Sequence, residues 1–460
     1  MLVDDLPLVL DRACPEPLAV QLADALRSAA SSGALRVGDR LSSTRALAVR
    51  LGVSRTVTSA AYEQLLAEGW LSASPGSGTF LTTAPSVARS PVRQPSAGMR
   101  GATEPELVDL FPGRPCLAAL DRAAWRRAWR AAAEAPPLSS PCYAGRPEFR
   151  AAIVDNLLRH RGLVVGPDRV LATAGSTAAV AELAALLPVG ARVALEEPGY
   201  QRAVGALTAG GVEVVAAEMD AGGLLVDRLP EGLAGVYCTP AHQFPLGSRL
   251  SAQRRVALVR RARAEGFLVI EDDYDGELRY DVAPLPLLAA LGPDVVAHLG
   301  TASKLLTPTL GVGWLVAPPG LQVALVAARE RTGTRPAPAG QQVFTELAGH
   351  GDLARHLRRL RRELAARREL VMAGLARHEV VARGDAAGAH VLLELPSASV
   401  EDALVAAASA DGIAVAGLRG CHRGTAATFG VSLGYAAPAE AALARAVDVI
   451  GRLVRQVSAR

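Results

Sequence analysis

The chain has 460 residues, enough for two to three domains, and half of them are apolar while only 4% are aromatic. A net charge of +4 is too small to indicate nucleic-acid binding by itself, and the five cysteines form no CxxC pair, which argues against a zinc site or a disulfide framework. Apolar runs fall short of the roughly 20 residues that cross a bilayer, and the acidic opening "MLVDDLPLVL" is unlike a signal peptide. We therefore expect a soluble, cytoplasmic protein with no metal site and no membrane-embedded part.

Residues 1–83 are predicted to form short helices followed by a hairpin. "TRALAVRLG" predicts a short helix, and Gly52 permits the turn that follows it. The apolar face of this helix consists of Ala46, Leu47 and Leu51. "SRTVTSAAYEQLLAEG" predicts a second helix with Ser54 as its N-cap. The core stripe of this second helix consists of Val57, Ala61, Leu65 and Leu66.

Two short helices joined by a glycine-containing turn are typical of a helix-turn-helix, whose second helix enters the major groove of DNA. The residues expected to be exposed near the start of that helix are Ser54, Arg55, Thr56 and Thr58. Positive charge is concentrated here, because residues 36–62 hold five arginines against one acidic residue, whereas residues 1–83 hold seven against eight. "GWLSASPGSGTFL" predicts a hairpin with a glycine-rich tip, and so a wing for the adjacent minor groove. A chance helix-turn-helix pattern is the alternative.

Residues 15–83 resemble the winged-helix domain of the GntR superfamily, and "PGSGTF" is a fairly specific match to its wing. The resemblance implies a double-stranded DNA operator as partner. The positions that it implies for DNA contact are Arg45 on the first helix, Ser54, Arg55 and Thr56 on the recognition helix, and Gly76 at the wing tip.

Residues 84–107 are rich in Pro, Ser, Gly and Ala without a hydrophobic period, which predicts a linker. From residue 108 to 460, helical patterns alternate with β-rich runs, as in a doubly wound α/β sheet that is mostly parallel. The runs are "RVLATAG", "RVALEEP", "GVEVVAAE", "AGVYCTP", "FLVIEDDYD", "VVAHLGT" and "VGWLVAP". From about residue 340 the pattern changes to a long helix and a small α+β subdomain.

Lys304, in "GTASKLLTPTLGVGWLVAP", is the only lysine, although lysine and arginine together number 49. A GC-rich genome accounts for arginine elsewhere but not for the one position that keeps an amine. An amine at a strand end forms a Schiff base with an aldehyde cofactor once desolvation lowers its pKa, and a guanidinium does not. The alternative is a solvated surface charge.

The cofactor predicted by such a lysine is pyridoxal 5′-phosphate (PLP). PLP needs an acid at its pyridine nitrogen, a donor to its phenolic oxygen and a phosphate cradle of N–H groups and hydroxyls. "VIEDDYDGELRY", "TAGSTAAVAELAALL" and "EEPGY" offer these groups at predicted strand ends, where ligands of open α/β sheets bind. The residues are Asp272, Tyr274, Gly175, Ser176, Thr177, Thr301 and Tyr200.

Residues 108–460 resemble the fold-type I aminotransferases. Together with the winged helix, the whole chain resembles a MocR/GabR-type regulator of the GntR superfamily. The matching segments, in order, are "EEPGYQR", "TPAHQFPLG", "IEDDYDGELRY" and the "SK" of "TASKLL". "HQFP" and "EDDYD" are specific to that subfamily.

The resemblance implies that Lys304 forms the internal aldimine with PLP, Asp272 pairs with the pyridine nitrogen and Tyr274 bonds the phenolic oxygen. The implied phosphate ligands are Gly175, Ser176, Thr177 and Thr301. Tyr200 is expected to stack on the ring and Arg202 to lie near the effector. A homodimer is expected, and with it an approach of Tyr143 to the phosphate across the subunit interface.

Two departures from the family pattern affect the expected function. Gly311 stands where "SKxLxPxLRxG" has a phosphate-binding arginine, and Ser432 in "VSLGY" stands where an arginine binds the substrate carboxylate. We therefore expect a PLP-binding transcriptional regulator that senses PLP or a small amine or amino acid, and not an efficient aminotransferase. The alternatives are an active aminotransferase with an accessory DNA-binding domain and a DNA-binding protein whose large domain serves only for dimerisation.

Two basic segments have open interpretations. Arg419, His422 and Arg423 in "LRGCHRG" form either a displaced anion site or a basic surface loop, which is the favoured reading. "DLARHLRRLRRELAARREL" predicts an amphipathic helix whose basic residues are either solvated or a second DNA contact. Its apolar stripe consists of Leu353, Leu357, Leu360 and Leu364, and the arginines in question are Arg358, Arg361 and Arg362.

Overall fold

The chain divides into two compact units, residues 1–102 and 103–460. The computed structural model describes residues 8–12, 14–74, 78–82, 107–280 and 286–458. Of the predicted linker, only Leu107 belongs to the described residues. None of the helices in the described ranges is long and apolar enough to cross a membrane.

The first unit packs three helices against a small antiparallel sheet. Its elements are α1 (Leu18–Ser31), β1 (Arg40–Leu41), α2 (Thr44–Leu51), α3 (Arg55–Ala67), β2 (Leu71–Ser74) and β3 (Gly78–Leu81). The strand order is β1-β3-β2, and β2 pairs with β3 as the predicted hairpin. Each helix contributes a fully buried leucine to one core, namely Leu22, Leu47 and Leu65.

The predicted ends of α2 and α3 are confirmed. Ser54 caps α3, because its Oγ accepts a hydrogen bond from the Val57 N–H at 3.4 Å. Gly52 ends α2 with φ of 63°, a left-handed conformation that favours glycine. The two helices therefore form a helix-turn-helix at the expected place.

Two expectations about helix faces are wrong. Thr58 was expected at the surface, but it is buried and its Oγ1 donates to the Thr44 carbonyl at 2.9 Å, so this hydroxyl joins α3 to α2. Ala46 was expected in the core but is exposed, because Ala48 lies beside Leu47 on the buried face of α2. Hydroxyl content does not mark a helix face as exposed where a neighbouring backbone carbonyl accepts the hydrogen bond.

The second unit alternates helices and strands over most of its length. Up to the end of the large sheet its elements are β4 (Val108–Asp109), α4 (Arg122–Glu134), α5 (Pro147–Arg161), β5 (Val170–Thr173), α6 (Ser176–Ala184), β6 (Arg192–Glu197), α7 (Gln201–Ala209), β7 (Glu213–Asp220), β8 (Gly223–Leu224), β9 (Gly235–Cys238), α8 (Ala252–Glu265), β10 (Leu268–Asp272), α9 (Leu288–Leu291), β11 (Val296–Thr301), α10 (Ala302–Leu305) and β12 (Gly313–Val316). All seven β-rich runs predicted from the sequence form strands of this sheet.

The large sheet has eight strands in the order β5-β12-β11-β10-β9-β6-β7-β8. Strands β11, β10, β9, β6 and β7 are mutually parallel, whereas β12 runs antiparallel to both of its neighbours. Because two reversals restore the direction, β5 runs parallel to β11. The carboxyl ends of β5, β6, β9, β10 and β11 consequently lie along one edge of the sheet.

The remaining elements form the predicted small α+β part. They are α11 (Leu321–Thr332), α12 (Pro338–Gly349), α13 (Asp352–Ala376), β13 (His390–Leu395), α14 (Ala398–Ala410), β14 (Ile413–Ala414), β15 (Ala416–Gly417), β16 (Phe429–Gly434) and α15 (Glu440–Ser458). Strands β13, β16 and β15 form an antiparallel sheet in that order. The predicted leucine stripe of α13 is confirmed, because all four leucines are buried.

Candidate functional site

The candidate site lies at the carboxyl edge of the large sheet. Lys304 follows β11, Asp272 ends β10, and the β9 and β6 ends lead to His242 and Tyr200. Gly175 follows β5 and begins α6. Parallel strands bring their carboxyl ends to one edge, so residues far apart in sequence meet here.

Lys304 brings the chain's only amine side chain to this edge. Its Nζ donates a hydrogen bond to the Gly113 carbonyl at 2.6 Å. A side chain on Gly113 would place its Cβ 2.9 Å from Nζ, so the glycine leaves space for the amine. Burial lowers the pKa of Lys304, while the carboxylates of Asp275 and Asp272 raise it. The net direction is downward, and a lower pKa increases the share of the neutral amine, the form that attacks a carbonyl.

Asp272 is buried beneath the site, and one of its two oxygens has no partner. Tyr237 on β9 donates to Oδ2 at 2.7 Å, while Oδ1 accepts no hydrogen bond. Burial raises the pKa of Asp272 to about 6, and the hydroxyl groups of Tyr237 and Ser176 act in the opposite direction. A buried, unpartnered carboxylate oxygen fits a protonated ring nitrogen, because that group supplies both a donor and a positive charge.

The start of α6 fits a phosphate group. Gly175 has φ of 125°, and no side chain caps the helix, so its first N–H groups are open to a ligand. A Cβ on Gly175 would lie 3.8 Å from the Thr301 hydroxyl, which places Thr301 beside this helix start. Thr177 lies on the first turn of α6 and its hydroxyl is 3.3 Å from the Tyr200 hydroxyl. Ser176 lies closer to Asp272, as its effect on the Asp272 pKa indicates.

Aromatic rings and imidazoles form one wall of the site. Tyr200 and Phe244 contact edge to face with ring centroids 5.7 Å apart. The Tyr274 hydroxyl lies 3.2 Å from Nδ1 of His242, and that nitrogen lies 2.8 Å from the Asp275 carboxylate. A cavity beside this wall is lined by several residues, among them Lys304, Tyr274, Phe244 and His390. The structure thus brings Lys304, Tyr274 and the Tyr200 wall together, as expected.

The two departures from the family pattern have different surroundings. Gly311 has φ of 61° and ends the short 3₁₀ helix Pro308–Leu310, and no atom lies within 4 Å of the position of a Cβ. Ser432 lies in the middle strand of the small sheet, is 2% exposed, and its Oγ has no hydrogen-bond partner. An arginine is thus absent from a turn at one position and from a buried sheet face at the other.

Arg202 and Tyr143 occupy the margins of the site. Arg202 is exposed on α7 and lies close enough to Lys304 to lower the pKa of that amine. Tyr143 is half-buried in the segment before α5, where its carbonyl accepts from Arg329 at 2.6 Å. None of the interactions described for Tyr143 joins it to Lys304, and its expected approach to the phosphate across a subunit interface stays a prediction.

The basic residues of "LRGCHRG" have partners within the chain. Arg419 donates to Asp402 at 2.8 Å, the Arg423 guanidinium donates to the Val214 carbonyl, and His422 lies 3.5 Å from the Glu197 carboxylate. These partners engage the groups that an anion would need. The alternative of a displaced anion site at these residues is therefore not supported.

The candidate DNA-contact residues lie together on the first unit. Arg45 on α2 and Ser54, Arg55 and Thr56 at the start of α3 are all exposed. Gly76 lies outside the described residues, between β2 and β3. A recognition helix presents its first residues to base edges, which is the arrangement at the start of α3.

Three residues of the large-domain site were missed by the sequence analysis. Tyr237 supports Asp272, His242 lies between Tyr274 and Asp275, and His390 lines the cavity of Lys304. Tyr237 lies inside the quoted segment "AGVYCTP" and His242 inside "TPAHQFPLG", so a position within or directly after a predicted strand was the available signal. His390 carried no such signal, because its place depends on the packing of the small sheet.

The fold and the site define a winged-helix DNA-binding unit combined with a domain of the aminotransferase type. Residues 18–81 match the profile of "Bacterial regulatory proteins, gntR family", and residues 109–450 match "Aminotransferase class I and II". The chain belongs to the MocR-type family of helix-turn-helix transcriptional regulators, which joins these two domains.

Curated relatives match nearly the full length of the chain. The "HTH-type pyridoxine biosynthesis transcriptional regulator PdxR" of Corynebacterium glutamicum is 36% identical over 94% of each chain. The "Probable rhizopine catabolism regulatory protein MocR" of Rhizobium meliloti is 32% identical over 81% of this chain and 80% of that protein. The full-length match shows that both domains belong to one architecture.

Solved aminotransferases share the fold of the large domain. Kynurenine aminotransferase of Pyrococcus horikoshii has a TM-score of 0.70 at 22% identity, over 76% of this chain and 91% of that chain. The α-aminoadipate aminotransferase LysN of Thermus thermophilus has a TM-score of 0.69 at 25% identity, over 77% of this chain and 93% of that chain. The aminotransferase fold is one that implies PLP as its cofactor.

Proposed function

We propose that this regulator binds PLP in its aminotransferase-like domain, and that occupancy of the site by PLP or by a small amine controls operator binding by the winged helix. One observation carries the proposal. The only lysine of the chain and the unpartnered buried oxygen of Asp272 lie at the same sheet edge. An amine and an acid placed in this way are the two groups that PLP requires.

The proposed cofactor residues divide by task. Lys304 would hold the aldehyde end, Asp272 the ring nitrogen and Tyr274 the phenolic oxygen. The phosphate ligands would be Gly175, Ser176, Thr177 and Thr301, with Tyr143 added by a second subunit. Tyr200 would stack on the ring. PLP supplies an electrophilic carbonyl for amines and an electron-withdrawing ring, and these residues hold that chemistry in one orientation.

The signal is proposed to be either PLP itself or a small amine admitted next to it. PLP is favoured by the relative that is named as a pyridoxine biosynthesis regulator. A small amine or amino acid is the other candidate, and Arg202, which is exposed on α7 and close to Lys304, would lie near it. Either signal would bind at this one site. It changes operator affinity only if it binds the DNA-competent and DNA-incompetent states of the protein with different affinities.

The alternative function is aminotransferase catalysis. It is opposed by Ser432, because an α-carboxylate buried at this sheet face would lack a cationic partner. The relatives named as transcriptional regulators also favour regulation over turnover. We therefore propose that the domain senses a ligand and does not turn over amino acids efficiently.

The partners follow from the two domains. Operator contact is proposed for Arg45, Ser54, Arg55, Thr56 and Gly76. A homodimer is proposed because aminotransferase-like sites are shared between subunits and because operators recognised by helix-turn-helix proteins usually have two half-sites. A DNA-binding regulator of this type would act in the cytoplasm.

The absorbance spectrum of the purified protein after incubation with PLP tests the cofactor proposal. Wild type is expected to retain, through gel filtration, the visible band of protein-bound PLP. Lys304→Ala is expected to lose it, and Lys304→Arg serves as the matched control that keeps the positive charge but not the amine. A retained band in Lys304→Arg, or no band in wild type, would contradict the proposal.

A further inference from the structure

Two buried polar atoms of the small sheet have no hydrogen-bond partner. They are Nε2 of His390, on β13, and Oγ of Ser432, on β16. Both residues are 2% exposed. A buried acceptor or hydroxyl left unpaired destabilises the fold, so these two atoms of one sheet point to a ligand that satisfies them.

The two atoms belong to one face of the small sheet. His390 is paired with Gly434 and Leu392 with Ser432 in the antiparallel register of β13 and β16. Directly opposed residues project to the same side, and residues two apart on a strand share a side, so His390 and Ser432 are diagonal neighbours. Gly434, opposite His390, adds no side chain between them.

This face is turned toward Lys304. His390 lines the same cavity as Lys304, Tyr274 and Phe244. A Cβ on Gly434 would meet the carbonyl of Phe111, two residues before the Gly113 carbonyl that accepts from Lys304. A molecule next to the Lys304 amine is therefore within reach of His390, and Ser432 is the diagonal neighbour of His390 on the same face.

The imidazole of His390 is neutral in this environment. Burial lowers the pKa of His390 well below its ordinary value, and the ring donates a hydrogen bond to the Pro245 carbonyl. Nε2 is the nitrogen without a partner, so a neutral ring with its proton on Nδ1 offers a lone pair at Nε2. His390 is thus an acceptor, while the Ser432 hydroxyl both donates and accepts.

We propose that His390 and Ser432 form a subsite for an uncharged hydroxyl group, so that the effector is an amine that carries a hydroxyl and no carboxylate. A hydroxyl donates to Nε2 of His390 and exchanges a second hydrogen bond with Ser432. A carboxylate has no proton to donate to Nε2, and Arg114, the arginine that lines this cavity, is already paired with Asp109 at 2.9 Å. This inference rests on the proposed function, because it names the class of amine that binds beside PLP.

Calorimetric titration of the PLP-loaded, full-length protein tests the subsite. The probes are ethanolamine, glycine and ethylamine, which share a primary amine on a short chain and differ in carrying a hydroxyl, a carboxylate or neither. Ethanolamine is expected to bind about tenfold more tightly than ethylamine, in line with two satisfied hydrogen bonds, and glycine more weakly than ethanolamine. Equal Kd values for ethanolamine and ethylamine, or tighter binding of glycine, would overturn the inference.

Two substitutions locate the effect within the protein. His390→Leu is expected to make ethanolamine and ethylamine bind equally. Ser432→Arg is expected to reverse the order of glycine and ethanolamine, because it supplies the cation that a carboxylate needs. PLP content is read from the visible band in each variant, and Kd is taken per loaded site. An unchanged ligand order in both loaded variants would assign the preference elsewhere and overturn the inference.

The wild-type ligand series stands without the variants if either fails to fold. If wild type shows no visible band, the proposed function is contradicted, and the subsite proposal, which rests on it, is contradicted too. If wild type shows the band but binds ethanolamine no more tightly than ethylamine, only the subsite proposal is contradicted.

Discussion

The winged-helix unit places its candidate contacts within one short stretch, from Arg45 to Thr56, whereas the aminotransferase-like unit draws its site from segments between Gly113 and Ser432. Two capped helices and a glycine turn orient the first set. The second set depends on strand order, because five strand ends must meet at one edge. The difference predicts that a substitution in one unit leaves the fold of the other intact, although ligand binding in the large unit is proposed to change operator binding by the winged helix.

The largest expected effect is a loss of stability that is confined to the aminotransferase-like unit. Arg161 and Asp273 form a bidentate buried pair with both distances at 2.8 Å, below the edge that carries Lys304. Asp273→Asn leaves the Arg161 guanidinium buried without its counter-charge, which lowers the free energy of unfolding by about 3–5 kcal/mol. Thermal unfolding of the large unit, followed by calorimetry, measures the loss.

Asp220→Asn is the matched control for this prediction. Asp220 also pairs with an arginine, Arg254, but both side chains are partly exposed. Exposed pairs contribute little to stability, so the unfolding of this variant should resemble that of wild type. Equal losses in the two variants would mean that burial does not decide the value of these ion pairs.

Asp272→Asn tests the cofactor site of the aminotransferase-like unit. The carboxylate is expected to strengthen PLP binding at least tenfold by pairing with the ring nitrogen. The pKa of Asp272 is raised from 3.8 to about 6, so the carboxylate is charged above that value and protonated below it. PLP affinity should therefore fall as pH decreases through about 6, and Asp272→Asn should remove that step. Equilibrium titration of the apo-protein with PLP at about pH 8 and about pH 5 measures both effects.

Operator affinity tests the DNA-contact residues of the winged-helix unit. Arg55→Ala is expected to weaken binding by about 1–3 kcal/mol, because it removes one guanidinium from the start of the recognition helix. The visible band of bound PLP should remain. Arg228→Ala, which removes an exposed arginine of the large unit, is the control and should leave operator affinity unchanged. A normal operator affinity in Arg55→Ala would contradict the assignment of the DNA face.

The smallest expected effect concerns the basic face of α13. Arg361 is held by the Glu277 carbonyl at 2.6 Å, while Arg358 and Arg362 are exposed. If DNA contacts are confined to the winged helix, the double substitution Arg358→Gln and Arg362→Gln leaves the dependence of operator binding on salt unchanged. A slope of log K against log salt concentration that falls by about 1 for each arginine would show phosphate contacts on the large unit. DNA contacts would then not be confined to the winged helix.

The same difference explains which features the sequence predicts. The strands and their terminal motifs are visible because apolar runs end in acids, hydroxyls or glycines, as at Asp272, Thr301 and Gly175. The identity of neighbours across the sheet is not visible, so Tyr237 was missed although it holds Asp272. Thr58 was misplaced for the same reason, since its acceptor, the Thr44 carbonyl, belongs to another helix. His390 depends on the register of the small sheet and on its packing against Lys304.

Operator affinity of one protein preparation with and without PLP tests the central claim most directly. DNA is first selected from a random library by the full-length protein, in parallel with and without PLP, and then used in equilibrium binding. Wild type is expected to change its Kd about tenfold or more on PLP loading, which corresponds to a coupling free energy of about 1.4 kcal/mol. Lys304→Ala is expected to bind the same DNA with a Kd that PLP does not alter. Identical Kd values for wild type in both states, while the visible band shows that PLP is bound, would contradict the account.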